Sequence, residues 1–454
     1  MKVLKFGGTS VGSIQSLVNV KKIVESIPGK AIIVVSALGG LTDKLIAAAN
    51  SAARGDEWQQ EMDGFRKRHF EIIDAVVNPE KKDEVVEKVS SLLDDLQRNY
   101  EGVSLLRSLP ENILNVIVSF GERMSSIIVA SMVGNGKRYY SPDFVKTEKW
   151  YGKNIADREL TDRLIKKTFE DMGDDEKAIV PGFISTDTSS GEITNLGRGG
   201  SDYTGALIAA ALDAEVLEIW TDVNGFMTAD PRVVKGALII DHLTFPESME
   251  LCNFGAKVIY PPTIYPVFHK NIPIKILNTF NPSAPGTLVT DRPRRDDFDI
   301  KGVSALKDIS LIEIPVIKPG DETDYLKRAF NVLSKQAVSI IPLANSEPDI
   351  ELQFAVPSAD AVKSLEALIE EFAPEIADGK ISDPATRGEL VALAVVGKEM
   401  KEKERLAARL VHSLRREGIE VEATSGINSN TTLVFIIKQE DSALALPLVH
   451  SLLF

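Results

Sequence analysis

Asn195-Leu196-Gly197-Arg198-Gly199-Gly200-Ser201-Asp202-Tyr203-Thr204 is polar and glycine-rich, and it runs directly into Gly205-Ala206-Leu207-Ile208-Ala209-Ala210-Ala211-Leu212. Glycines at 197, 199 and 200 permit positive φ and close approach of backbone to a ligand. The alanine-rich run predicts a helix, which Ser201 or Asp202 would cap. A glycine loop entering a helix offers free N–H groups and the positive end of a helix dipole, which together seat an anion. Arg198 adds a planar fork suited to carboxylate or phosphate. Taken alone, such a stretch is as readily a flexible loop before a helix, so its meaning depends on its surroundings.

Those surroundings repeat the pattern. Residues 3–6 read as a strand ending near Lys5, followed by Gly7-Gly8-Thr9-Ser10-Val11-Gly12-Ser13 and a helical period over about 14–27. The loop is neither a dinucleotide G-x-G-x-x-G nor a G-K-[ST] phosphate loop. Residues 31–35, Ala-Ile-Ile-Val-Val, read as a buried parallel strand, followed by Ser36 to Thr42 and another helix. Strand, polar loop and helix in succession predict an α/β fold with a mostly parallel sheet and helices on both faces. Residues 57–110 have helical period and read as an insertion covering one edge of a site. Residues 113–118 lead into Ser119-Phe120-Gly121-Glu122, placing Glu122 at an element junction as a candidate ligand group. Residues 179–184 form a strand with a break, and 216–220 another, ending in a turn-rich segment with Thr221, Asp222, Met227, Asp230 and Arg232. Residues 249–260 read as a helix that Pro261-Pro262 ends.

The polar stretch 293–297 is the predicted domain junction. Beyond it, β-α-β-β-α appears over 309–371 and again over 389–453, an internal duplication of a ferredoxin-like unit of about seventy residues. The expected domains are 1–295, 300–385 and 386–454.

Composition narrows the function. The chain has 454 residues, a formal net charge of −14, 44% hydrophobic and 26% charged residues. With no long basic block, nucleic acid is an unlikely class of partner. An acidic protein that handles anions must reverse its field locally with a few placed cations. Cys252 is the only cysteine, which excludes an internal disulfide. No signal-peptide pattern and no 18-residue apolar run is read, so the expectation is a soluble, cytoplasmic protein without a membrane partner.

In order along the chain, Lys5-Phe6-Gly7-Gly8-Thr9-Ser10-Val11, Ser119-Phe120-Gly121-Glu122, Gly197-Arg198-Gly199-Gly200-Ser201-Asp202-Tyr203-Thr204, Trp220-Thr221-Asp222-Val223, Asp230-Pro231-Arg232 and Phe254-Gly255-Ala256-Lys257-Val258 resemble the aspartate kinases, the aspartokinases of the amino-acid-kinase fold. The C-terminal repeats resemble that family's paired ACT regulatory modules. The resemblance implies a three-layer αβα catalytic domain and phosphorylation of the L-aspartate side chain by ATP, at the entry to lysine, threonine, methionine and diaminopimelate synthesis. It implies that Lys5 and the backbone of Gly7 and Gly8 hold the β- and γ-phosphates, with Lys5 and Asp202 catalytic. Arg198 would clamp the substrate α-carboxylate, Glu122 would take the α-ammonium, and Ser36, Thr42 and Ser201 would complete the substrate site. Thr221, Asp222, Met227, Asp230, Arg232, Lys257 and Val258 would line the nucleotide pocket. Mg²⁺ is expected on the ATP phosphates, with no direct metal ligand assigned. Ser346 and Glu347 belong to an expected effector loop, with lysine, threonine, both or neither as effector. A homodimer through the regulatory modules is expected, and no dehydrogenase activity. Other kinases of the fold, acting on glutamate, acetylglutamate or UMP, and a catalytically silent amino-acid sensor are the alternative readings.

Overall fold

A computed structural model describes the chain apart from residues 151, 295–298, 318–321, 344–350, 401–402 and 427–428. The chain divides into two compact units, Met1–Phe226 with Val258–Arg292, and Met227–Lys257 with Pro293–Phe454. Residues 227–257, expected within the N-terminal domain, therefore group with the C-terminal part. The local reason is hydrogen bonding to the long strand Ile300–Pro315: Val303 N donates to Thr228 O (2.7 Å) and Ser304 Oγ to Phe254 O (2.8 Å).

In the first unit, Lys2–Phe6 is a central strand. It pairs in parallel with Ala31–Val35 on one side and Val216–Thr221 on the other. Lys177–Pro181 and Gly136–Arg138 extend the sheet beyond Ala31–Val35, and Ile274–Asn278 extends it beyond Val216–Thr221, all in parallel. Thr287–Thr290 adds an antiparallel strand. Alternation places Leu4, Phe6, Ile33 and Val35 in one core with helices Ile14–Glu25, Leu41–Arg54 and Glu111–Met132. Lys5 points to the opposite face, where helix Gly200–Ala211 lies: a Cβ on Gly205 would stand 3.6 Å from Lys5 Cβ. Both faces are covered, which is why residues 31–35 are apolar without alternation. This is the expected three-layer αβα arrangement.

Several local expectations change. The insertion forms two helices, Gln59–Val76 and Pro79–Leu106, whose Phe65, Leu93 and Leu96 share the core just described. Glu122 stands in mid-helix rather than at an element junction, because Glu111–Met132 is one continuous helix. That helix is long and apolar enough to cross a membrane by length and composition, contrary to the sequence expectation, but 72% of its apolar window is buried. Helix Gly200–Ala211 is entered through Gly199 at φ 69°, so Ser201 and Asp202 occupy its first turn rather than the cap. The helix expected over 249–260 is Phe245–Asn253, capped by Thr244 and Glu247 and followed by Gly255 at φ 112°. A Cβ on Gly255 would meet Ala305 O at 2.4 Å. A small four-stranded sheet, Lys153–Ala156, Lys146–Trp150, Ile184–Asp187 and Ile193–Asn195, leads into the glycine loop. Its first two strands carry too few apolar residues for periodicity to reveal them.

The second unit is built on a six-stranded antiparallel sheet in the order Ile341–Pro342, Glu351–Pro357, Ile300–Pro315, Ala385–Gly397, Thr432–Lys438, Val421–Ser425. Helices Glu322–Lys335 and Ala361–Glu371 belong to the first repeat, Glu404–Arg416 and Ser442–Leu453 to the second. Each repeat supplies β-α-β-β-α, and the strand each lacks is lent by the other. The long strands pair from Ile300↔Gly397 to Glu313↔Ala385, with an irregularity near Asp308 (φ 59°) and Glu389 (φ 57°) that marks where one repeat hands over to the other. The sheet curls, bringing its outer strands together at Ser425 Oγ, which donates to Pro342 O (2.5 Å). Ser346 and Glu347 lie outside the described residues.

Candidate functional site

A cavity of about 600 Å³ opens in the first unit at the C-terminal ends of strands Lys2–Phe6 and Ala31–Val35. Ligands of open α/β sheets bind at this end. It is lined by the expected Lys5, Gly8, Ser36, Thr42, Glu122, Arg198, Ser201 and Asp202, contributed by four separate stretches of chain.

Glycine chemistry explains the convergence. Loops 7–13 and 36–40 press backbone on backbone. A Cβ on Gly8 would lie 3.2 Å from Ala37 O, one on Gly39 3.0 Å from Gly8 O, and one on Gly12 2.9 Å from Gly8 O. Gly121 lets helix Glu111–Met132 approach the same place, since its Cβ would lie 2.7 Å from Ala37 Cβ. The next residue, Glu122, is thereby delivered to the cavity wall. Gly182 gives room to Ser201, whose Cβ a side chain there would meet at 2.7 Å.

Lys5 is 8% exposed, and its Nζ lies 2.6 Å from Asp202 Oδ1. The contact is an ion pair rather than an aligned hydrogen bond, for Asp202 Oδ1 has no hydrogen-bond partner. Glu122 is 4% exposed, and its Oε2 is likewise without a hydrogen bond. Burial pushes its carboxyl up to about 8, against the opposing pull of the Ala37 backbone amide and the Lys5 charge. The shift favours the protonated, neutral form of this buried carboxyl, and a cation placed beside it would oppose that shift. Arg198 is exposed on the loop, and its side chain makes no ion pair or hydrogen bond among the described residues.

The other expected nucleotide residues are distributed differently. Gly7 is outside the cavity lining and donates its N–H to Trp220 O (3.1 Å). Thr221 and Asp222 follow the neighbouring strand, with Thr221 Oγ1 donating to Asp222 Oδ1 (3.2 Å). Val258 also belongs to the first unit, outside this cavity. Met227, Asp230, Arg232 and Lys257 belong to the second unit. There Arg232 is paired with Asp230, Nη2 to Oδ2 at 2.8 Å, and Met227 bridges to Ile239.

Sequence reading missed a second circle of residues. Arg68, on helix Gln59–Val76, donates from Nη2 to Gly12 O (2.8 Å) and Gly39 O (2.9 Å). One guanidinium thus ties both glycine loops together. Asn115 lines the cavity, and its Oδ1 accepts from Asn195 Nδ2 (2.5 Å). Nothing in their spacing distinguishes such residues from solvated polar ones. A polar residue seven positions before Glu122 on the same helical face was the one available signal.

Two family models match the chain. The model of the amino acid kinase family matches residues 1–278, and the model of an ACT domain matches residues 393–453. The chain is 31% identical to a bifunctional aspartokinase/homoserine dehydrogenase of Buchnera aphidicola, over all of this chain and 56% of that protein. It thus spans about half the length of that relative. It is 25% identical to the chloroplastic aspartokinase 1 of Arabidopsis thaliana, over all of this chain and 80% of that one. The structure of E. coli aspartokinase III in complex with aspartate and ADP aligns with a TM-score of 0.85 at 25% identity, covering 99% of both chains. The aspartate kinase of Clostridium acetobutylicum shares the fold, with a TM-score of 0.80 at 23% identity and full coverage of both chains. Since the first of these matches covers more than half of the sequence, the chain belongs to the amino acid kinase family.

Proposed function

We propose that this protein is an aspartate kinase, transferring the γ-phosphoryl group of ATP to the side-chain carboxylate of L-aspartate to give ADP and 4-phospho-L-aspartate. The observation that carries the reading is one cavity lined by Lys5, Glu122, Arg198 and Asp202. The similarity to E. coli aspartokinase III, whose structure holds aspartate and ADP, supports the choice of substrates.

The acceptor needs no general base, because a carboxylate with a reference pKa of about 3.9 is already ionised at neutral pH. Its oxygen forms a bond to the γ-phosphorus as the bond to the β-phosphate oxygen breaks, and no proton has to move. The work left to the protein is to bring two anions together and to stabilise charge on the transferring group. Lys5 would neutralise the phosphoryl oxygens, and Asp202 would hold its ammonium in place. Arg198 would bind the α-carboxylate bidentately and Glu122 the α-ammonium, while Ser36, Thr42 and Ser201 orient the reacting side chain. Gly7, Gly8, Thr221, Asp222, Met227, Asp230, Arg232, Lys257 and Val258 are proposed for ATP. The cavity's cations and backbone amides suit phosphate oxygens better than a bare metal. Mg²⁺ would therefore enter on the nucleotide and supply charge neutralisation there.

The same proposal includes a role in lysine, threonine, methionine and diaminopimelate synthesis, a cytoplasmic location, and a homodimer regulated by lysine or threonine. The lysine complex of E. coli aspartokinase III supports lysine as the effector class. A coupled ADP assay across aspartate, glutamate, acetylglutamate and UMP, with hydroxylamine trapping of the acyl phosphate, tests the reading. Turnover of aspartate is expected. Turnover of another acceptor without aspartate, or no acyl phosphate at all, would refute it.

A further inference from the structure

We infer that Asn115 and Asn195 form a positioning clamp that holds the Arg198 loop against the Glu122 helix and so sets affinity for the amino-acid head group. The inference rests on the substrate reading above and adds residues that the motifs do not contain.

The geometry is a short polar chain. Asn195 Nδ2 donates to Asn115 Oδ1 at 2.5 Å, and Asn195 Oδ1 accepts from Gly197 N at 3.0 Å. The carbonyl of Asn195 accepts from Asn154 Nδ2 at 3.3 Å. Every polar group of the Asn195 side chain is thus directed to fixing the entry of the loop that carries Arg198. Asn115 is 7% exposed and sits on the same helix as Glu122, seven positions earlier, which is two turns along one face. Both line the cavity. The Arg198 side chain makes no hydrogen bond or ion pair among the described residues. Where the guanidinium stands relative to the Glu122 carboxyl therefore depends on the amide pair beneath it. An α-amino acid presents its carboxylate and ammonium on a single carbon, so it binds well only when cation and acid stand at a fixed separation. A loop free to slide loses that separation without losing either charge.

Among the described residues neither asparagine side chain is hydrogen-bonded to Lys5 or to residues 7–13, so loss of the pair should weaken aspartate binding and spare the phosphoryl transfer step. For Asn115→Ala and Asn195→Ala we expect the aspartate KM to rise about tenfold, with kcat within about threefold and the ATP KM within about twofold. The double variant should be no worse than either single one, since both remove the same bond. Asn195→Ser, a smaller change at a half-buried site, covers the case in which the alanine variants fold poorly. Calorimetric titration of aspartate into wild-type and variant full-length chain judges the clamp without relying on turnover. A wild-type chain that binds aspartate but fails to phosphorylate it would count against the kinase reading alone. Unchanged aspartate affinity in both single variants, or losses that simply add in the double variant, would overturn the clamp. So would a wild-type chain that does not bind aspartate.

Discussion

Glu122 shows how much a single residue's meaning depends on its surroundings. Burial raises its carboxyl from 4.5 to about 8. Between those values the folded protein binds a proton that the unfolded chain does not, so its stability falls as pH rises through this window. Glu122→Gln should flatten that part of the dependence, as read from thermal midpoints between pH 5 and 8; an unchanged slope would contradict the assignment. Under the proposed function, the aspartate ammonium replaces the proton. Aspartate affinity should then weaken as pH falls below about 8, with proton release on binding visible as a buffer-dependent heat. Lys5→Ala should lower kcat by about 10²–10³-fold while changing aspartate affinity little, because its charge matters most as the phosphoryl charge redistributes. A loss confined to aspartate KM would argue for a binding role only. Lys5 and Arg198 stood out in the sequence as cations beside glycines, and Glu122 as an acid beside Gly121; all three line one cavity. Arg68 and Asn115 did not stand out, because a polar residue aimed inward has the same letter as one in water.

The elements of the site are bound by backbone contacts and one insertion. Arg68 satisfies one carbonyl in each of the two glycine loops, Gly12 O and Gly39 O. Arg68→Ala should loosen both loops and cost about tenfold in kcat/KM for ATP, while Arg68→Lys should recover only part of it, since one ammonium lacks the planar fork. Steady-state kinetics decides. Gly121→Val would force a branched side chain where even a Cβ meets Ala37 at 2.7 Å, and should cost about 1–3 kcal/mol in denaturant unfolding. The parallel strands were legible from apolar runs, and the helical insertion from its period. The hairpin around Lys146–Trp150 and the unbroken helix through Glu122 were not. Lys146–Trp150 and Lys153–Ala156 carry too few apolar residues to show a period, and an apolar stretch rich in small residues does not fix its element type by periodicity alone.

At the scale of the whole molecule, two ferredoxin-like repeats exchange strands within one curled sheet. The long strands Ile300–Pro315 and Ala385–Gly397 each serve both repeats. An effector that binds the folded second unit should raise its thermal midpoint. Lysine or threonine at 100 times its dissociation constant would add about 2.7 kcal/mol, and absence of a shift with either would remove both as effectors. Sedimentation of the full chain tests the proposed dimer, and a stable monomer would refute it.

The strand–loop–helix units of the parallel sheet, the duplication, and the identity of the charged groups followed from the sequence alone, since periodicity and residue type are properties of neighbouring letters. Tertiary structure decided that residues 227–257 group with the C-terminal repeats, that these repeats share their central strands, and that Arg68 and the asparagine pair stand behind the site. Those facts depend on hydrogen bonds between residues far apart in the chain, such as Asn115 with Asn195 and Thr228 with Val303, and local pattern carries no record of them.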